Sequence, residues 1–127
     1  MILVDSSVWI DYFRGGERTK NLDLFIELDL AATNELILTE LLPFLRLQNE
    51  MEIFTKLDIL PRIEFDIFWE GIREIQKLNL KRGVNNVGIP DLIIAQQCID
   101  KNLELWTFDK HFRLMAEYLE LKIYSEA

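Results

Sequence analysis

Four acidic residues stand where the surrounding sequence is otherwise apolar. Asp5 ends the burst Ile2-Leu3-Val4, and Asp109 ends Leu105-Trp106-Thr107-Phe108. Glu40 falls between Leu36-Ile37-Leu38-Thr39 and Leu41-Leu42, and Asp91 opens the apolar run Leu92-Ile93-Ile94-Ala95. Asp and Glu are seldom fully buried without a partner, and no Lys or Arg lies within a helical turn of Glu40 or Asp91. Clustered carboxylates repel and raise one another's pKa unless a cation lies among them. All-oxygen ligands of this kind favour Mg²⁺ or Mn²⁺. Zinc does not fit, because the only thiol and imidazole, Cys98 and His111, have no ligand spacing between them. Each acid also has a local competitor. Asp5, Asp91 and Asp109 could cap helices, and Glu40 could face solvent.

The elements that must position these acids follow from periodicity. Short apolar runs ending at Asp5 and Asp109 suit strands buried on both faces of a parallel sheet. Further strands are expected at Ala31-Ala32-Thr33, Asp58-Ile59-Leu60-Pro61 and Leu121-Lys122-Ile123-Tyr124. Val8, Trp9, Tyr12 and Phe13 form one face of a short helix, capped by Ser6 or Ser7 and stopped by Gly15-Gly16. Phe68, Ile72, Ile75 and Leu78 make a stripe on another, with Asp66 as its cap and Gly83 as its stop. The helix from Pro90 to about Lys101 is apolar nearly all round and should be deeply buried. Phe112, Met115 and Leu119 mark a last helix. Strands alternating with helices predict βαβ units, which makes the fold class α/β with a central, mainly parallel sheet. Ligand sites in such sheets lie outside the carboxyl ends of the strands, the rim on which all four acids are expected.

With 127 residues, half of them hydrophobic, the chain can bury one core, and a single domain over residues 1–127 is expected. No apolar run reaches the roughly 18–20 residues that span a bilayer. The start, Met1-Ile2-Leu3-Val4-Asp5, lacks the basic segment of a signal peptide, and one cysteine cannot form an internal disulfide. A cytoplasmic location is the expectation, with no membrane partner. The net charge of −8 argues against a protein that wraps duplex DNA by phosphate neutralisation.

In order along the chain, Ile2-Leu3-Val4-Asp5-Ser6-Ser7-Val8-Trp9-Ile10-Asp11 resembles the opening of a PIN-domain protein of the VapC-like toxin group. Thr39-Glu40-Leu41-Leu42 is similar to the second acidic motif of that family and Ile89-Pro90-Asp91-Leu92-Ile93-Ile94-Ala95 to its third. Leu105-Trp106-Thr107-Phe108-Asp109-Lys110-His111-Phe112 is similar to the fourth. The resemblance implies a three-layer α/β/α sandwich, Mg²⁺- or Mn²⁺-dependent ribonuclease activity and a cognate antitoxin. The sequence departs from the pattern at Pro43, expected to kink the helix that carries Glu40, and at Gln96 and Gln97, where small apolar residues are more usual.

The expected roles follow. Asp5, Glu40, Asp91 and Asp109 are candidate catalytic and metal-ligating residues, direct or through water. Ser6 and Thr107, beside two of them, could orient a carboxylate or a bound water. Lys81, Arg82, Lys110 and Arg113, together with Arg14 and Arg46, are candidates for contact with RNA phosphates, against the plainer reading of solvated charges. His111 is expected at the rim, Cys98 in the core, and Trp9, Trp69 and Trp106 in core or interface. The expected partners are an RNA substrate, a small antitoxin protein and a second copy in a homodimer. The alternatives are a PIN-fold RNA-processing nuclease that is not a toxin and a Mg²⁺-binding phospho-receiver domain. The receiver wants paired acids after the first strand, but Asp5 stands alone there.

Overall fold

The computed structural model describes residues 1–125; Glu126 and Ala127, the last two of the expected domain, lie outside them. Four short strands form an all-parallel sheet in the order β2-β1-β3-β4. They are β1 (Ile2–Val4), β2 (Ala31–Ala32), β3 (Glu104–Trp106) and β4 (Lys122–Ile123). Parallel neighbours need crossovers, and helices supply them. These are α1 (Ser6–Phe13), α2 (Leu22–Glu27), α3 (Glu35–Leu47), α4 (Met51–Asp58), α5 (Trp69–Lys81), α6 (Ile89–Asp100) and α7 (Lys110–Met115). The first strand is central. Leu3 sits opposite Ala32 on one side and Leu105 on the other, and all three are fully buried.

The expected strand at Asp58-Ile59-Leu60-Pro61 is not formed. Ile53, Leu57 and Leu60 recur at helical spacing, so α4 runs on to Asp58, and Ile59 is left exposed. Only a single bridge survives beyond it, Thr33 beside Arg62, held by Thr33 N–H to the Pro61 carbonyl (2.9 Å) and Ile63 N–H to the Thr33 carbonyl (2.8 Å). The helix α2 has no counterpart in the sequence reading. Pro43 lies inside α3 without ending it. The last helix closes at Met115, before Leu119. Capping also differs: α1 and α5 have no side-chain cap, and Asp66 instead accepts a hydrogen bond from Lys101 at 3.0 Å. Gly15 and Gly83 do stop their helices, at φ +72° and +75°, where a Cβ would be strained.

The helix α6 is the buried spine, with Leu92 through Cys98 all buried. Gln96 and Gln97 within it hold main chain, which no apolar pair could do. Gln96 accepts from the Phe68 N–H (3.0 Å) and donates to the Phe68 carbonyl (2.9 Å). Gln97 donates to the carbonyls of Ile63 and Glu64 at 3.1 Å each and accepts from Asn34 at 2.8 Å. Together they tie the extended segment 62–68 to the spine and satisfy backbone groups that no strand pairs. Trp9 and Trp106 are core, while Trp69 is half exposed at the start of α5, beside an equally exposed Phe68. No helix among the described residues is long and apolar enough to cross a membrane.

Candidate metal centre

The carboxyl ends of β1 and β3 deliver two acids to one rim. Asp5 follows β1 directly and is buried, its N–H extending the ladder to the Trp106 carbonyl at 2.9 Å. Asp109 follows β3 and caps α7, accepting from the His111 N–H at 2.9 Å. Capping therefore holds for Asp109 and not for Asp91, which sits in the first turn of α6 with no side-chain hydrogen bond among the described residues. Glu40, exposed on α3, completes the group. Asp5, Glu40, Asp91 and Asp109 all line one open cleft of about 380 Å³, with Ser6, Ser7, Gly88 and Pro90.

Two hydroxyls fix Asp5. The Ser7 Oγ donates to Asp5 Oδ2 at 2.8 Å and accepts from the Phe108 N–H at 3.0 Å. The Thr107 Oγ1 donates to the same oxygen at 2.7 Å and accepts from the Asp109 N–H at 3.0 Å. Both hydroxyl protons thus point at one carboxylate oxygen, and Oδ1 carries no hydrogen bond among the described residues. Thr107, expected beside Asp5, touches it directly. For the serine it is Ser7, not Ser6, that reaches the acid. Ser7 stands two residues after Asp5 on the first turn of α1, a spacing from which a hydroxyl reaches back to the carboxylate.

The electrostatic strain falls on Asp91. Burial foremost, then the nearby charges of Asp5, Asp109 and Glu40, push its carboxyl up to about 6, with His111 acting weakly the other way. A half-buried carboxyl facing three others is a setting in which a cation would relieve the repulsion. The donors are all carboxylate and hydroxyl oxygens, a set that suits Mg²⁺ or Mn²⁺. No three His, Cys, Asp or Glu side chains among the described residues are gathered tightly enough to grip an ion as they stand. His111 lies at the rim, its Nδ1 3.3 Å from Asp109 Oδ1. Cys98 is buried, its thiol pushed up to about 12 mainly by burial, which removes it as a nucleophile.

The basic residues are not brought to the cleft wall. Arg82 ends α5 with its guanidinium over the Tyr118 ring, 5.2 Å from the centroid, and neither it nor Lys81 lines the cleft. Lys110 is exposed at the start of α7. Arg113 lines a neighbouring cavity, and Arg46 lies over Phe54 at 5.1 Å.

A doubly flanked parallel sheet with four acids around the carboxyl ends of its central strands defines the class. The chain belongs to the PIN domain family, which matches residues 2–118. Among solved structures it is similar to a chain of VapBC2 from Rickettsia felis bound to a DNA fragment from the promoter. That match is 21% identical, covers 98% of both chains and has a TM-score of 0.72. It is similar to a chain of FitAcB from Neisseria gonorrhoeae, at 20% identity over 98% of this chain and 97% of that one, TM-score 0.68. A toxin–antitoxin complex from Klebsiella pneumoniae matches at 21% identity over 87% and 88%, TM-score 0.63. No curated protein sequence matches the chain.

Proposed function

We propose that this chain, as one PIN domain over residues 1–127, is a metal-dependent endoribonuclease acting in the cytoplasm as the toxin of a toxin–antitoxin pair. One observation carries the reading: four carboxylates from four separate elements meet in a single cleft of a PIN-family chain. Asp5, Glu40, Asp91 and Asp109 would hold Mg²⁺ or Mn²⁺, directly or through water. Such an ion supplies an activated water and offsets charge on the departing oxygen of a phosphodiester. The protein's own part is placement. Ser7 and Thr107 hold Asp5 through one oxygen and leave the other without a hydrogen bond among the described residues. Asp91 sets a further carboxyl opposite the other three, whose mutual repulsion a cation would offset. Arg113, Lys110, Lys81 and Arg82 would meet RNA phosphates farther out.

The toxin assignment draws support from the fold shared with a chain of the Klebsiella pneumoniae toxin–antitoxin complex. Exposed Phe68 and Trp69, at 62% and 51%, offer apolar surface for an antitoxin or a second copy in a homodimer. The test is cleavage of labelled RNA with Mn²⁺ or Mg²⁺, with EDTA, and by Asp5→Asn and Asp91→Asn. Cleavage should vanish in EDTA and in both variants while the fold persists. Undiminished cleavage in both variants would remove the site assignment. Growth arrest on expression, relieved by a small co-expressed partner encoded alongside, separates a toxin from a processing nuclease.

A further inference from the structure

Beside the acid cleft, beyond the carboxyl ends of β3 and β4, lies a second cavity of about 400 Å³. Thr107 lines this cavity and links it to the cleft through Asp5. Its hydroxyl bonds Asp5 in the cleft, and its carbonyl faces Arg113 in the cavity. In a chain of net charge −8, the described lining of this cavity holds two arginines, Arg18 and Arg113, and no acid. Arg18 is 65% exposed, and its guanidinium carbon lies over the Phe108 ring, 3.9 Å from its centroid. Its one ion pair among the described residues, to Asp11, is long at 3.8 Å and leaves most of the guanidinium exposed. Arg113 stands 3.5 Å from the Thr107 carbonyl, longer than a good hydrogen bond, so its donors remain available. The opposite wall is aromatic and stiff, Trp106 and Tyr124 packing edge to face at 4.9 Å.

We propose that this cavity receives one unpaired ribonucleotide adjacent to the scissile phosphate. The flanking phosphate sits between Arg18 and Arg113, and the base stacks on the exposed face of the Arg18–Phe108 pair. The inference rests on the nuclease reading and deepens it by naming the substrate class. Guanidinium planes and aromatic rings are the surfaces on which splayed bases stack, and two guanidiniums match a phosphate's oxygens. Pockets of roughly 300–1,000 Å³ suit small ligands, so a single nucleotide fits here and a duplex does not. RNA that spans both cavities must be single-stranded at this point.

The test uses fluorescence anisotropy with an unstructured labelled oligoribonucleotide and a hairpin of equal length, in Ca²⁺ to hold cleavage back. Wild type should prefer the unstructured strand. Arg18→Met/Arg113→Met, both at exposed positions, should melt as wild type does yet bind at least tenfold more weakly. Its slope of log affinity against log salt should flatten by about 1.4, at roughly 0.7 per single-strand phosphate contact. Arg18→Lys should restore the slope but not the preference, because it returns charge without a stacking plane. Equal affinity and slope in wild type and the double variant would overturn the proposal. So would displacement of the strand by a glutamate-rich peptide more readily than by unlabelled RNA, which would make the cavity a protein-docking site. A wild type that binds in this arginine-dependent way but never cleaves RNA would remove the nuclease reading and leave the cavity's ligand intact. A double variant that both cleaves and binds as wild type does would remove the cavity alone.

Discussion

With burial and three neighbouring carboxylates holding it near 6, Asp91 makes the metal-free protein sensitive to pH. The unfolded chain releases this proton near the ordinary value of 3.8 and the folded chain near 6, so between them the folded state binds more protons. Stability from this group is therefore full below about pH 4 and is lost as pH rises toward 6. Melting in EDTA from pH 4 to 7 should show that decline, and Asp91→Asn should flatten it. An identical decline in the variant would place the linkage elsewhere. Ser7 offers a second contrast. Ser7→Ala strands the Phe108 N–H and removes one of two bonds to Asp5, a cost of about 1–3 kcal/mol. Ser6→Ala breaks no side-chain hydrogen bond among the described residues and should stay within about 0.5 kcal/mol by urea denaturation. The four acids were legible because a charge ending or interrupting an apolar run needs a reason. Ser7 was not, because what distinguishes it from Ser6 is Phe108, 101 residues away. Lys81 and Arg82 show the same limit, since proximity in sequence to Asp91 did not bring them to its cleft.

At the scale of elements, α6 was the most readable, its apolar residues leaving no polar face to mistake. Strands β1 and β3 were nearly as clear. The false strand at 58–61 arose because Ile59-Leu60 before a proline imitates a short buried run, while the helical spacing of Ile53, Leu57 and Leu60 settles the matter in three dimensions. Gln96 and Gln97, which the sequence shows only as a departure from small apolar residues, replace a missing strand's hydrogen bonds. That substitution is testable through Gly71, where an added Cβ would stand 2.6 Å from Gln96 Nε2 and 2.9 Å from the Phe68 ring. Gly71→Ala should destabilise despite a helix-propensity gain of about 1 kcal/mol, because it displaces the amide that holds Phe68. Gln96→Ala alone should cost about 1–3 kcal/mol for the unpaired backbone groups. In the Gln96→Ala background, Gly71→Ala should cost far less than it does alone, the propensity gain now offsetting the remaining contact with Phe68. Urea midpoints of the four proteins give the coupling, and strict additivity would refute the clamp.

Over the whole molecule, the acid cleft concentrates charge of the same sign as the chain's net −8. A divalent ion that binds only the folded form should stabilise it by mass action, about 2.7 kcal/mol at a hundredfold excess over Kd. For a chain of this size that is on the order of 10 °C in melting temperature. Differential scanning calorimetry with Mn²⁺ should show the rise in wild type and a smaller one in Asp5→Asn; equal rises would detach binding from Asp5. The strand order has a different consequence, one of timing. The first strand made is the central one, and the acid it carries is locked by Thr107, 102 residues later. On a ribosome adding roughly 5–20 residues each second, the cleft stays open-ended for about 5–20 s after Asp5 is synthesised. A nascent chain therefore carries its acids as separate groups, and the four-acid cleft comes together only when nearly all of the described residues have emerged.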